Sequence, residues 1–266
     1  MFFSVDEWDM DFISMEDFVQ HVRSTLDNMY KKRDINTLKD FNKNLIDPVK
    51  LTFDSFTNNL DRKALINTEI IRQIDKSITN DIGAFHQYIF NYIDGWNVPK
   101  EGFDIENPTE KYFVELKNKH NTMNSSSSQK TYINLQNKIL ADSDATCMLV
   151  EIIAKRSQDI RWKVTVDKKL FNHEKIRRVS IDKFYEIATG DPLAFQKICS
   201  WLPITIKRIN DEYKHEKAEE KVLDELLDVA DTFMQGLYQQ SFKSYNGFED
   251  LNFKYIDELN RNELFT

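Results

Sequence analysis

GFDIENPTEKYFVELKNKHNT, residues 102–122, is the stretch whose reading decides the fold. Residues 103–106 are a short β-prone run, Asn107 and Pro108 supply a turn, and residues 111–117 (KYFVELK) have the composition of a second strand. Side chains alternate along a strand, so Phe113, Glu115 and Lys117 share one face while Tyr112, Val114 and Leu116 share the other. The hairpin carries Asp104 on its first arm and Glu115 with Lys117 on its second. A polar run, NKHNTMNSSSSQK, leads away from it.

Outward from the hairpin the chain reads as mixed in the middle and helical at both ends. Ser126 and Gln129 fit a capping box for a helix carrying Tyr132, Leu135 and Ile139. Residues 147–153 read as a buried strand and residues 161–166 as a further one. Strand, strand, helix, strand predicts an α/β core with a mixed sheet flanked by helices. On the N-terminal side, Ser14 and Asp17 form a capping box ahead of Phe18, Val22 and Leu26. The block from Leu65 to Ile93 carries an isoleucine stripe that Gly83 is expected to break into two helices. On the C-terminal side, Asp191 and Pro192 suit the N-cap and first position of a helix ending near Trp201. Ile209, Tyr213, Val222, Leu226, Phe233 and Leu237 then recur near helical spacing as an amphipathic helix or helix pair. One domain over residues 1–266 is expected, with a helical N-terminal segment (1–93), a core (94–183) and a helical C-terminal segment (184–266).

Composition removes several classes of function. No run of about 18 apolar residues exists, and the acidic start MFFSVDEWDMDF is unlike a secretory signal, so the chain is expected to be cytoplasmic. Six glycines form no phosphate-cradling or dinucleotide-binding run. The five histidines lack metal-ligand spacing, with His86 read as a packing residue, and both cysteines, Cys147 and Cys199, are read as small buried thiols. The net charge of −8 is unevenly spread. Residues 101–210 hold 18 Lys+Arg against 14 Asp+Glu, whereas residues 211–266 hold 6 against 14. Positive charge therefore concentrates where the hairpin lies, which suits a polyanionic partner.

Asp104 and Glu115 across a hairpin are the minimum set for Mg²⁺, which takes oxygen ligands and keeps several waters. A lysine two residues on, projecting from the same face, could orient a water and offset developing charge. Spacing alone also allows the polar side of a half-exposed strand. Glu-x-Lys recurs at 212–214 and 219–221, where helical surface ion pairs explain it. The polar run after the hairpin is rich in groups that contact bases and phosphates, and it equally suits a solvated loop.

The runs GFDIEN and FVELKNKHNT, with FYEIATGDPLAFQKIC further on, resemble the type II restriction endonucleases that cut GGNCC-type sites, within the PD-(D/E)xK nuclease superfamily. The resemblance covers about residues 94–203, and Phe103 stands where the superfamily motif has proline. It implies a PD-(D/E)xK nuclease core and Mg²⁺-dependent hydrolysis of double-stranded DNA that leaves 5′-phosphate ends. By motif position Asp104 and Glu115 are implied metal ligands and Lys117 the catalytic lysine. Many members add a carboxylate from a preceding helix, for which Glu69 is the candidate, ahead of Asp75 and Asp81. Candidate DNA contacts are Asn118, Lys119, His120, Asn121, Asn124 and Gln129, followed by Arg156, Gln158, Arg161 and Lys163. A homodimer matched to a palindromic site and a companion DNA methyltransferase are the expected partners. The rival expectations are a structure-directed repair nuclease of the same superfamily and a non-catalytic DNA-binding helical module.

Overall fold

The computed structural model describes residues 8–33, 35, 37–120, 123–166, 168–212, 221–228, 230 and 232–241. The chain divides into two compact units, Met1–Asp27 with Asn80–Tyr213, and Asn28–Thr79 with Lys214–Thr266.

The first unit is built on a five-stranded mixed sheet of β1 (Ile105–Asn107), β2 (Tyr112–Lys119), β3 (Thr146–Ile153), β4 (Asp159–Val166) and β5 (Lys169–Ser180). Their order is β1-β2-β3-β5-β4. β2, β3 and β5 run parallel, and the outer strands β1 and β4 are antiparallel to their neighbours. The parallel step from β2 to β3 needs a crossover. That crossover is helix α5 (Ser125–Ala141).

Alternation along the strands sends side chains into two apolar layers. On one face Phe113, Cys147, Leu149, Ile176 and Trp162 are buried with Tyr132, Leu135 and Ile139 of α5. On the other, Val114, Met148, Val150 and Val179 are buried with residues of four helical elements. These are α1 (Met15–Arg33), the C-terminal end of α4 (Arg62–Tyr88) with its 3₁₀ extension Ile89–Tyr92, α6 (Ile181–Thr189) and α7 (Ala194–Asn210). The second unit is helical. Its core joins Leu38 and Phe41 of α2 (Leu38–Phe41), Leu51 of α3 (Pro48–Thr57), Leu65 and Ile66 of α4, Leu226 of α8 (Lys221–Leu227), and Phe233, Met234 and Leu237 of α9 (Phe233–Ser241).

The expected mixed sheet flanked by helices is present, with differences in detail. α4 runs unbroken through Gly83, because a single helical glycine costs only about 1 kcal/mol against a long apolar stripe. The cap of α5 is Asn124, whose side chain accepts a hydrogen bond from Ser127 N, so the helix starts earlier than the Ser126/Gln129 pattern implied. The Ser14/Asp17 box forms as read, with Asp17 N donating to Ser14 Oγ at 3.0 Å. Asp191 caps a turn through Leu193 N, and α7 begins only at Ala194 and continues past Pro203 to Asn210. Cys147 is buried, and burial pushes its thiol up to about 12. Cys199 is exposed, since one helical step of about 100° from the buried Ile198 carries it off the apolar face. β5 has no counterpart in the sequence reading. Leu226, Phe233 and Leu237 of the expected amphipathic run lie on two helices and belong to a core, while Tyr213 lies outside the described residues.

Candidate active site

The β1–β2 hairpin closes as its sequence directs. Asn107 Oδ1 accepts a hydrogen bond from Glu110 N at 3.0 Å, and Lys111 takes the left-handed conformation that completes the turn (φ 59°). Gly95 packs beneath this turn with φ 81°, where an added Cβ would meet the Asn107 side chain at 3.0 Å. The antiparallel register pairs Ile105 with Val114, and its continuation sets Asp104 opposite Glu115. Three hydrogen bonds hold Asp104 in place. Its N–H donates to Val114 O (3.0 Å), its Oδ2 accepts from Leu116 N (2.7 Å), and its carbonyl accepts from Gln87 Nε2 (2.9 Å).

Glu115 and Lys117 lie on the sheet face that α5 covers lower down at Phe113. Further along the strands the same face turns polar, because alternation places Glu115 and Lys117 on β2, Glu151 on β3 and Arg178 on β5 beyond the last apolar residues. Lys117 Nζ stands 3.3 Å from Glu115 Oε2 and 3.9 Å from Asp104 Oδ2, so one cation serves two carboxylates. Burial pushes the Glu115 carboxyl above its ordinary range, and the Asp104 charge adds to the shift, with Lys117 opposing both. The pair is thus short of positive charge.

Beside this trio is a second charged cluster that the sequence did not disclose. Glu151 is fully buried and pairs with Arg178 Nη2, while its Oε2 lies 3.0 Å from His120 Nδ1. Arg178 Nη2 also reaches His120 O at 3.2 Å. The hydrogens are consistently placed when Nδ1–H donates to Glu151 and Arg178 donates to Glu151 and to the His120 carbonyl. The 2.8 Å approach of Arg178 Nη2 to Nδ1 is then a contact between two donors drawn to the same carboxylate. A glutamate inside the apolar run CMLVEII was the one available signal for this cluster.

The remaining candidates separate. Asn118 and Lys119 end β2 with His120 directly after them, and the Arg156–Gln158 loop leaves β3, at the same end of the sheet because β2 and β3 are parallel. Arg156 is exposed, and Gln158 is tied by backbone bonds to Ser180. Asn124 is occupied as the α5 cap, and Gln129 Nε2 donates to Thr165 O at 2.9 Å. Arg161 and Lys163 are exposed but flank the buried Trp162, so they point away from the face of Glu115 and Lys117. Asn121 lies outside the described residues. Glu69 belongs to the second unit, where it is buried with its carboxylate taken by Arg72 and Gln73. Asp75, also of that unit, is exposed, and Asp81 is buried in the first.

Among the described residues no three or more His, Cys, Asp or Glu side chains gather as a metal-binding group. The donor set on the hairpin is the pair Asp104 and Glu115. A hard divalent cation that keeps its waters needs no more than one or two protein carboxylates, so the pair suits such an ion. The raised Glu115 carboxyl supports the fit, since a cation there would relieve the crowding of negative charge.

Comparison with known proteins places the chain in a family. The model of the Eco47II restriction endonuclease family matches residues 10–211. The type II restriction enzyme Sau96I of Staphylococcus aureus is 30% identical over 207 residues, covering 74% of this chain and 79% of its own. The type II restriction enzyme Eco47II of Escherichia coli is 29% identical over 216 residues, covering 76% and 89%. No solved structure matches. The class is that of the type II restriction enzymes, site-specific nucleases built here on a mixed sheet flanked by helices. Within that class the chain belongs to the Eco47II restriction endonuclease family.

Proposed function

We propose that the chain cuts double-stranded DNA at a palindromic GGNCC-type site with Mg²⁺, using Asp104, Glu115 and Lys117. The observation that carries this reading is the placement of Lys117 Nζ at 3.3 Å and 3.9 Å from the two carboxylates, on the polar end of an otherwise buried sheet face. Asp104 and Glu115 are the residues that hold the ion. When bound, Mg²⁺ supplies positive charge beside the scissile phosphate and makes a water more acidic. Asp104 is pre-set by its bond from Leu116 N, so its carboxylate needs little ordering. The Lys117 ammonium holds the attacking water and offsets charge on the phosphoryl oxygens. Water adds to phosphorus, the bond to the 3′ oxygen breaks, and a 5′-phosphate and a 3′-hydroxyl remain. Glu69 is outside the proposed ligand set, because Arg72 and Gln73 already take its carboxylate.

Asn118, Lys119, Arg156 and Gln158, at the site end of the sheet, are the proposed first DNA contacts. A cytoplasmic homodimer accounts for a two-fold symmetric site with one cutting centre per strand, and a methyltransferase protects the host's copies of it. Plasmid DNA incubated with the protein and Mg²⁺ is expected to give discrete fragments with one fixed sequence at every end. Lys117→Ala is expected to lower the cleavage rate by about 10³-fold or more while duplex binding persists, the behaviour of a group acting in the transition state. Smeared products, or ends of mixed sequence, are incompatible with the proposal.

A further inference from the structure

We infer that Arg178 is a positioning residue, which keeps Lys117 at its two carboxylates by occupying the neighbouring Glu151. The inference rests on the assignment of Lys117, Asp104 and Glu115 as the cutting centre.

Three strands, β2, β3 and β5, bring four charged side chains, Glu115, Lys117, Glu151 and Arg178, to one end of one sheet face, and Asp104 joins them from the residue before β1. The register pairs Lys117 with Glu151 across β2 and β3, so the two stand side by side on strands about 4.8 Å apart and point to the same side. A lysine next to a fully buried carboxylate is expected to pair with it. Lys117 instead pairs with Glu115 and Asp104, and the Glu151 charge is met by Arg178 and His120. The charges therefore fall into two sets, and Arg178 is what separates them.

Consider Arg178 replaced by a neutral side chain. Glu151 remains fully buried, where an uncompensated carboxylate is costly and water is not at hand to solvate it. The nearest flexible cation along the register is Lys117, whose ammonium sits on a four-carbon stem and is 30% exposed. Capture by Glu151 removes it from the Asp104 and Glu115 carboxylates. The same network also fixes His120, one residue beyond β2, through its ring and its carbonyl. The end of β2 that carries Lys117 is thereby tied to β3 and β5.

A suppressor experiment tests this. Single-turnover cleavage in Mg²⁺ and duplex affinity in Ca²⁺ are measured for Arg178→Met, Glu151→Gln, the double variant and Lys117→Ala. Arg178→Met is expected to slow cleavage about 100-fold with affinity nearly unchanged, Glu151→Gln to stay within about threefold of wild type, and the double variant to recover to within about tenfold. Melting temperatures are taken on the same proteins, because removing the buried charge would also rescue a fold weakened by loss of Arg178, and an Arg178→Met rate loss accounted for by unfolded protein overturns the inference. A double variant no faster than Arg178→Met overturns the inference. So does a Glu151→Gln protein as inactive as Lys117→Ala, which would place Glu151 in the chemistry itself. Arg178→Lys keeps a cation beside Glu151 in case the methionine variant does not fold. It is expected to cut within about tenfold of wild type, and a loss as deep as that of Lys117→Ala also overturns the inference. A Lys117→Ala protein that cuts normally refutes the site assignment instead, which separates the two failures.

Discussion

His86 shows how one side chain ties the core to pH. It lies on α4 against Phe85 and Phe195, and its buried Nδ1 has no hydrogen-bond partner among the described residues. Burial, with a smaller contribution from the charge of His21, pushes its imidazole from an ordinary 6.5 down to about 4. Between those values the unfolded chain takes up a proton that the folded chain refuses, so stability falls with falling pH across that window. The stabilisation from keeping His86 neutral is complete above pH 6.5, and about 3 kcal/mol of it is gone near pH 4. His86→Leu is expected to lose less thermal stability than wild type between pH 7 and pH 5. Parallel melting curves across that range would count against it. Glu115 is a contrasting case, a carboxyl raised by burial and by the like charge of Asp104, as suits its proposed role as a cation ligand. Glu151 is more deeply buried than Glu115, but its charge is answered by Arg178 and His120. Two glutamates on one face thus have different surroundings, and only one is left short of positive charge.

At the scale of elements, α5 decides where the site can be. It covers one sheet face as far as Leu149 and Ile176, and the polar positions begin beyond them. Its first turn is set by Asn124, a residue equally readable as a DNA contact. The cap role predicts that Asn124→Ala lowers stability by about 1 kcal/mol, that Asn124→Ser restores it, and that neither changes duplex affinity. A lower affinity at unchanged melting temperature would return Asn124 to the DNA interface. The hairpin and β3 were legible because alternation and turn chemistry are local, and Asp104, Glu115 and Lys117 could be read from that alternation. β5 was not, because KLFNHEKIRRVS places charged residues along a strand whose first half pairs only with β4 in an exposed ribbon. Only its end, from Ile176, enters the sheet beside β3. Glu151 and Arg178 escaped for a related reason. The sequence around each one gives no sign of the other, and the pairing of β3 with β5 that makes them partners is a long-range fact. α7 differs in the other direction, since it was expected to end near Trp201, yet the helix carries Pro203 and buries Thr205 and Ile209 beyond it.

Over the whole molecule the question is how a chain of net charge −8 holds a polyanion. The positive excess lies within residues 101–210, the segment that builds the sheet and its site, and the acidic excess lies at the two ends of the sequence. Duplex binding neutralises phosphates with lysine and arginine and releases counterions, so the logarithm of affinity falls by about 0.9 per contact for each tenfold rise in salt. Local basic groups, and not total charge, set that slope. Arg156 is a direct test, because it is exposed in the loop leaving β3 at the same end of the sheet as Lys117, on a segment that lies outside both apolar layers of the sheet. Arg156→Ala is expected to weaken binding to all duplex sequences to a similar degree and to flatten the salt dependence by about one contact, leaving sequence preference and melting temperature unchanged. Arg161→Ala, on the opposite face of β4, is expected to leave the slope unaltered. If Arg161→Ala flattens the slope and Arg156→Ala does not, the DNA runs along the other side of the sheet, and Lys117 could not then be the group that meets the scissile phosphate.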